Sequence, residues 1–317
     1  MDRKMFAAVF KQPREVVIEL VDIPEPRPDE VLVKLLFNGI CGTDLRVWEG
    51  THWMIEGWPL EPGAFGHESV GEVVKVGANV RDLKVGDKVV GFGGKSFAQY
   101  SLAKDPILIA DSALERMSLV SPLSNALNIV SLMDPRPNSK ALIMGQGTIG
   151  LFVTKILSEK HVKVIATDIV EKRLELSKKF GATTYDARDQ KYVTKILNEH
   201  GEIETVVECA GSEETLLPAC EIVAKAGTII IYGCQRTMAL PYRPLRKKGV
   251  RIEFGTASTN ARTGIDYTLF AIRMLQRSSF DTEDIISKKI SLHDLPGILA
   301  GYDRDRWIKV IVEPNRE

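Results

Sequence analysis

Cysteine is scarce in this chain of 317 residues. There are four, Cys41, Cys209, Cys220 and Cys234, and no two of them form a C-x-x-C pair. That scatter argues against a disulfide framework and against a four-cysteine zinc knot, so a bound metal needs mixed ligands. Long apolar runs are missing too: nowhere do about 18 uninterrupted apolar residues follow one another, which excludes an ordinary membrane-spanning helix. Charge of one sign is not in excess, with 42 basic and 42 acidic side chains giving a formal net charge of zero. Nothing electrostatic therefore favours a nucleic acid or a membrane surface as partner. The opening MDRKMFAAVFKQPREVV lacks the apolar stretch and small-residue cleavage site of a secretory signal, and a cytoplasmic location is expected.

What is present is an ordinary globular composition, 44% hydrophobic and 26% charged, in a length that suits two domains. From residue 5 to about 110 the chain reads as short strands separated by Gly, Pro and Asp, among them MFAAVF, VVIELVDI, EVLVKLLFNGI, SVGEVVKVG and FAQYSL. Turn signals every ten or so residues fit a β-barrel or sandwich. After Pro122 the pattern changes to a helical segment near LSNALNIVSLM and then to strands alternating with amphipathic helices. Alternation of that kind predicts βαβ units and a parallel sheet. Its strands ALIM, KVIAT, TVVEC and TIIIYG are apolar throughout, as strands covered on both faces are, and the segment LLPACEIVAKAG reads as a helix between the last two. The tail, with KKISL and WIKVIVE, returns to strand. The expected domains are residues 1–119 with 280–317, mainly β, and residues 120–279, α/β.

The turn GQGTIG places Gly145, Gly147 and Gly150 in G-x-G-x-x-G spacing between a strand and an amphipathic helix, with Thr148 and Ile149 opening that helix. This is the pattern that lets backbone approach a pyrophosphate at a helix N-terminus, although a glycine-rich turn without a ligand can look the same. The next strand ends in Asp168, eighteen residues beyond Gly150, where a carboxylate can accept from ribose hydroxyls and repel a 2′-phosphate. That favours NAD over NADP. Asp168 can equally cap the following helix, and Lys172 and Arg173 in the next turn can neutralise a phosphate.

Cys41, His67 and Glu68 offer thiolate, imidazole and carboxylate, a ligand set that zinc accepts in a catalytic site with water in the open position. Singly, each is an ordinary core or polar residue. The words around them add to this: GICGTD at 39–44, GHESVGEVVKVG at 66–77, VGDKVVG at 85–91, FAQY at 97–100, GQGTIG at 145–150 and the late WIKVIVEP. In these the chain resembles the zinc-dependent medium-chain dehydrogenase/reductase family of alcohol, polyol and threonine dehydrogenases, nearly end to end. The resemblance implies a GroES-like β-barrel catalytic domain interrupted by a Rossmann domain, a doubly wound parallel sheet. It implies Cys41, His67 and Glu68 as zinc ligands, Asp44 as the carboxylate that orients the histidine, and Thr43 as the hydroxyl that takes the substrate's proton. Zinc would act as Lewis acid on an alcohol whose hydride passes to the nicotinamide. Homodimers or homotetramers are also implied, with TIIIYG either a sheet edge that pairs between subunits or an interior strand.

Three departures from the family pattern stand out. Ser121 and Asn125 occupy the positions of a further ligand, so zinc would rely on three side chains and water. Between VGDKV and FAQY only VGFGGKS intervenes, leaving no room for a four-cysteine lobe, so one catalytic zinc and no structural zinc is expected. Arg46 stands where a relay histidine is common, and arginine stays protonated. The proton then leaves through Thr43, the nicotinamide ribose and water, or through another group such as His52. The insert WEGTHWMIEGWPLEPG, with Trp48, Trp53 and Trp58 as apolar faces and His52, Glu56 and the preceding Arg46 as polar contacts, suits a wall for a hydroxyl-rich substrate, and two of its tryptophans can equally be core or subunit contacts. The expected activity is oxidation of a secondary alcohol, polyol or sugar with NAD. L-Threonine oxidation, a zinc-free quinone-oxidoreductase-like reductase and a non-catalytic dinucleotide-binding protein are the alternatives.

Overall fold

Val31, Val33 and Leu35 alternate with less buried neighbours along a strand that three others flank, and around it the first unit of the molecule is built. A computed structural model describes residues 4–233, 239–255, 258–277 and 280–316, so Cys234 lies outside the described residues. The chain divides into two units, Met1–Ser121 with Phe270–Glu317, and Pro122–Leu269.

In the first unit β1 (Lys4–Gln12) and β2 (Glu15–Asp22) form an antiparallel hairpin. The larger sheet contains β3 (Val31–Gly39), β4 (Glu68–Val76), β5 (Lys88–Val90), β7 (Ile107–Ile109), β14 (Ile286–Ser291) and β15 (Lys309–Glu313) in the order β14-β15-β3-β4-β5-β7, with β6 (Tyr100–Ala103) also paired to β3. All its pairings are antiparallel except β14 with β15. One core gathers Val31, Val33, Leu35, Val73, Val89 and Phe92. A second gathers Phe10, Ile40, Leu45, Val47, Phe97, Leu295, Val310 and Val312, each large side chain worth roughly 1.5–3 kcal/mol when fully buried. Helices α1 (Gly42–Glu49), α2 (Leu114–Met117) and α10 (Leu295–Ala300) complete the unit.

The second unit is a six-stranded parallel sheet, order β10-β9-β8-β11-β12-β13, from β8 (Lys140–Met144), β9 (Lys163–Asp168), β10 (Thr183–Asp186), β11 (Ile203–Glu208), β12 (Val223–Ile231) and β13 (Arg251–Phe254). Helices α4 (Thr148–Glu159), α5 (Glu171–Lys179), α6 (Tyr192–His200), α7 (Leu216–Ile222) and α8 (Tyr242–Lys248) lie between the strands in sequence. Successive strands step outward from β8 to β10, then return to the other side of β8 and step outward again. The order thus reverses between β8 and β11, the place where such sheets accept ligands at their carboxyl ends. Both crossings between units fall inside helices, α3 (Val120–Met133) and α9 (Thr268–Gln276), so no linker composition marks them.

Two expectations are corrected. The helix expected over LLPACEIVAKAG ends at Ile222, and Val223 is already extended, because parallel pairing of Val223 with Ile203 recruits it to β12. TIIIYG is not an edge either: β12 lies between β11 and β13, and the edge strand on that side is β13.

Candidate metal centre and nucleotide turn

Antiparallel register pairs Gly39, the last residue of β3, with Glu68, the first of β4. That single pairing brings together two arms of chain whose key residues, Cys41 and His67, are twenty-six apart in sequence. A Cβ on residue 39 would collide with the Glu68 carboxylate, so glycine is required there. Cys41 caps the N-terminus of α1, with the Asp44 carboxylate reaching back to its backbone N–H. This short helix escapes a reading of GTDLRVWE, whose polar and apolar residues show no helical stripe.

The ligand-type atoms of Cys41, His67 and Glu68 lie within 4.8 Å of one another. Tetrahedral zinc with bonds of about 2.0–2.3 Å sets donors about 3.5 Å apart, so a small contraction brings all three onto one ion. Sulfur, imidazole nitrogen and carboxylate oxygen converging at this spacing fit the metal. Asp44, fully buried, fixes both arms: Oδ2 accepts from Cys41 N at 2.7 Å, Oδ1 accepts from Gly66 N at 3.1 Å, and His67 Nδ1 lies 4.0 Å from Oδ1. Burial pushes the Asp44 carboxyl upward against the opposing pull of His67 and these two N–H groups. Burial disfavours a charged His67, but its hydrogen bond with Cys41 and the charges of Asp44, Cys41 and Glu68 prevail, raising it to about 10. The pocket is thus strongly electronegative and suited to a cation.

A residue not foreseen in the sequence completes it. Lys309, at the start of β15, is 3% exposed and donates from Nζ to the Ile40 carbonyl at 3.0 Å and to Glu68 Oε2 at 2.5 Å. The available signal was a lysine inside the apolar run WIKVIV, where a buried charge calls for a partner. A carboxylate has lone pairs enough for an ammonium and a metal at once.

Thr43 Oγ1 lies 3.8 Å from Cys41 Sγ. Arg46 is on α1, and its carbonyl accepts from Thr51 N. Trp48 and Trp58 pack against the core, Trp48 also lying beneath the Arg14 guanidinium at 5.9 Å, whereas Trp53 is 69% exposed. His52 is buried, stacked on Trp53 and edge-on to Phe65, and its Nδ1 accepts from Met54 N at 3.3 Å. Burial, with the charges of Arg46 and His67, lowers its pKa.

In the second unit Gly145 has φ +90° and packs so closely on Ala210 that a Cβ would overlap the Ala210 backbone. A Cβ on Gly150 would strike the Gly145 carbonyl, whereas the space beside Gly147 is open. Gly147 stands at the N-cap of α4 with no side chain to cover the helix N-terminus, where Thr148 and Ile149 open the helix. Open space beside Gly147 at this helix N-terminus fits a pyrophosphate. Asp168 accepts from Gln146 N at 2.5 Å and from Val170 N at 2.9 Å, with Arg173 3.7 Å away. Beneath the turn the buried Gln146 donates to the Ile143 carbonyl and accepts from Thr154 and Ser177, tying the turn to α4 and α5. Asn125 donates to Tyr232 Oη at 2.9 Å.

Residues 27–106 match the alcohol dehydrogenase GroES-like domain, and residues 148–277 match the zinc-binding dehydrogenase family. The chain belongs to the zinc-type medium-chain dehydrogenases. Sorbitol dehydrogenase of Bacillus subtilis is 28% identical across 99% of this medium-chain dehydrogenase and 98% of its own length. An L-threonine 3-dehydrogenase of Streptomyces coelicolor is likewise 28% identical, across 96% and 98%. The crystal structure of 2R,3R-butanediol dehydrogenase from Bacillus subtilis superposes with a TM-score of 0.85 at 24% identity, covering 98% of this chain and all of that one, which shows the shared fold. Among the described residues no helix of this dehydrogenase is long and apolar enough to cross a membrane.

Proposed function

We propose that this medium-chain dehydrogenase oxidises a secondary alcohol of the polyol or sugar type with NAD. The convergence of Cys41, His67 and Glu68 on one point carries the reading. These residues would hold zinc, whose Lewis acidity lowers the pKa of an alcohol oxygen and favours loss of its carbinol hydrogen to the nicotinamide as hydride. The Asp44 carboxylate holds the Cys41 and Gly66 backbones in place and keeps His67 turned to the centre. Thr43, beside the Cys41 sulfur, takes the proton from the substrate hydroxyl. Arg46 cannot accept it. His52 accepts from Met54 N at Nδ1 and so carries its proton on Nε2, without a lone pair to offer; the proton leaves Thr43 to water.

Gly145, Gly147, Thr148, Ile149 and Gly150 would receive the pyrophosphate, with Arg173 close by. Asp168 supports NAD over NADP, since a 2′-phosphate would meet like charge. One catalytic zinc, a homodimer or homotetramer and a cytoplasmic location belong to the same proposal. The test is a panel of polyols, sugars, sugar acids and L-threonine, run with NAD and NADP in parallel on protein of measured zinc content and molar mass. NAD-dependent turnover on a polyol at about one zinc per chain is expected. Zinc below about a tenth of an equivalent with retained activity returns the zinc-free reductase, and NADH binding without any turnover returns the non-catalytic protein.

A further inference from the structure

Glu208, the last residue of β11, is wholly buried and does not belong to either site described above. Its Oε1 accepts three hydrogen bonds, from Ala210 N at 2.8 Å, Gly211 N at 2.9 Å and Thr215 Oγ1 at 2.9 Å. Its backbone carbonyl accepts from Tyr232 N at 2.9 Å and Gly233 N at 3.1 Å. Oε2 faces Gly233, where a Cβ would overlap it, and has no hydrogen-bond partner among the described residues. A buried carboxylate is expensive even when partly satisfied, so what its three hydrogen bonds hold in place matters.

The position of Glu208 shows what these bonds hold. In the parallel register Glu208 pairs with Met144 on one side and Ile231 on the other. It therefore stands at the carboxyl end of β11, on the flank of the strand-order reversal opposite Gly145. Cys209 N donates to the Met144 carbonyl at 2.8 Å, and the next residue, Ala210, is the one whose backbone lies against Gly145. Glu208 thus clamps the segment 209–212 against the first glycine of the nucleotide turn, and the close contact with Ala210 leaves no room for a side chain at position 145.

We infer that Glu208 is a positioning residue for the nicotinamide nucleotide, holding the 209–212 segment as the wall of the crevice facing the Gly145 turn. This rests on the nucleotide reading of that turn. Wild-type full-length protein failing to bind NADH in a fluorescence titration would end that reading, whatever Glu208 does. Given wild-type binding, Glu208→Ala is expected to raise the NADH Kd about tenfold or more, since three hydrogen bonds to a charged acceptor are lost. Zinc content should not change. Glu208→Gln keeps an acceptor oxygen and should restore the Kd to within about twofold of wild type. A folded Glu208→Ala protein that keeps the wild-type Kd and loses only thermal stability would overturn the inference, as would Glu208→Gln binding as weakly as alanine. Should the alanine variant not fold, Thr215→Val removes one donor to the same oxygen: a Kd raised about threefold supports the inference, and an unchanged one overturns it.

Discussion

Lys309 and Glu68 form an ion pair from which water is excluded on both sides, the ammonium 2.5 Å from Oε2 with the carboxylate belonging to the proposed metal centre. They stand 241 residues apart in sequence and meet because β15 pairs with β3, which in turn pairs with β4. Burial disfavours the charge on Lys309, but the negative groups Glu68 and Cys41 overcome it and raise its pKa.

Lys309→Met should therefore leave a buried carboxylate without its counter-charge and destabilise the metal-free protein by about 3–5 kcal/mol. Zinc would supply the missing positive charge. The loss measured by urea denaturation is expected to be larger in EDTA than with zinc added, and equal losses in both would separate Glu68 from the metal.

Cys41→Ser removes the softest of the three ligands while retaining the shape of the α1 cap. Zinc content and turnover should both be lost, with NADH affinity held to within about twofold because the nucleotide turn lies in the other unit. Elemental analysis and NADH titration on the same sample check it, and full activity in this variant would contradict the proposed centre.

Asp168→Asn removes the negative charge and keeps one acceptor oxygen, so only one of the two N–H bonds, from Gln146 to Oδ2 or from Val170 to Oδ1, survives. The ratio of kcat/KM with NAD to that with NADP should fall about tenfold, mostly through KM for NADP. An unchanged ratio would assign Asp168 to holding the turn and nothing more.

Stability should also carry the signature of Glu208. Burial raises its carboxyl above 4.5, outweighing the lowering by Thr215 and the Gly211 and Ala210 N–H groups. The folded protein then binds the proton more tightly than the unfolded chain, so the stability linked to it is present in full below the unfolded pKa and declines as pH rises through the folded one. Glu208→Gln does not titrate. The difference in Tm between wild type and this variant should therefore shift against wild type as pH climbs from about 4.5 toward neutrality, and a flat difference would contradict it.

The candidate sites were legible in the sequence wherever neighbours in the chain are also neighbours in space. Cys41, Thr43 and Asp44 share one turn of helix, His67 and Glu68 are adjacent, and the three glycines of the nucleotide turn lie within six residues. What long-range pairing supplies was concealed. Lys309 looks like one more strand residue until β15 is placed beside β3, and Glu208 looks like a strand end until the sheet order reverses next to it. Gln146 occupies an arbitrary position of G-x-G-x-x-G, and only the packing of α4 and α5 shows it as the peg beneath the turn. Val223 went to strand rather than helix for the same reason, its β-branched side chain having no local preference strong enough to resist pairing with Ile203.

The pairing of Gly39 with Glu68 also separates what can vary from what cannot. A slip of β4 by one residue would turn Glu68 to the opposite face and dismantle the centre, so insertions or deletions inside these two strands should be intolerable. The excursion from Gly50 to Phe65, by contrast, supplies none of the three ligand-type atoms, and although Trp58 and Leu60 tie it to the core, exposed positions such as Trp53 can change without moving those atoms. Evolution could rewrite the guest list of such an enzyme loop by loop while the reacting centre stayed as it was.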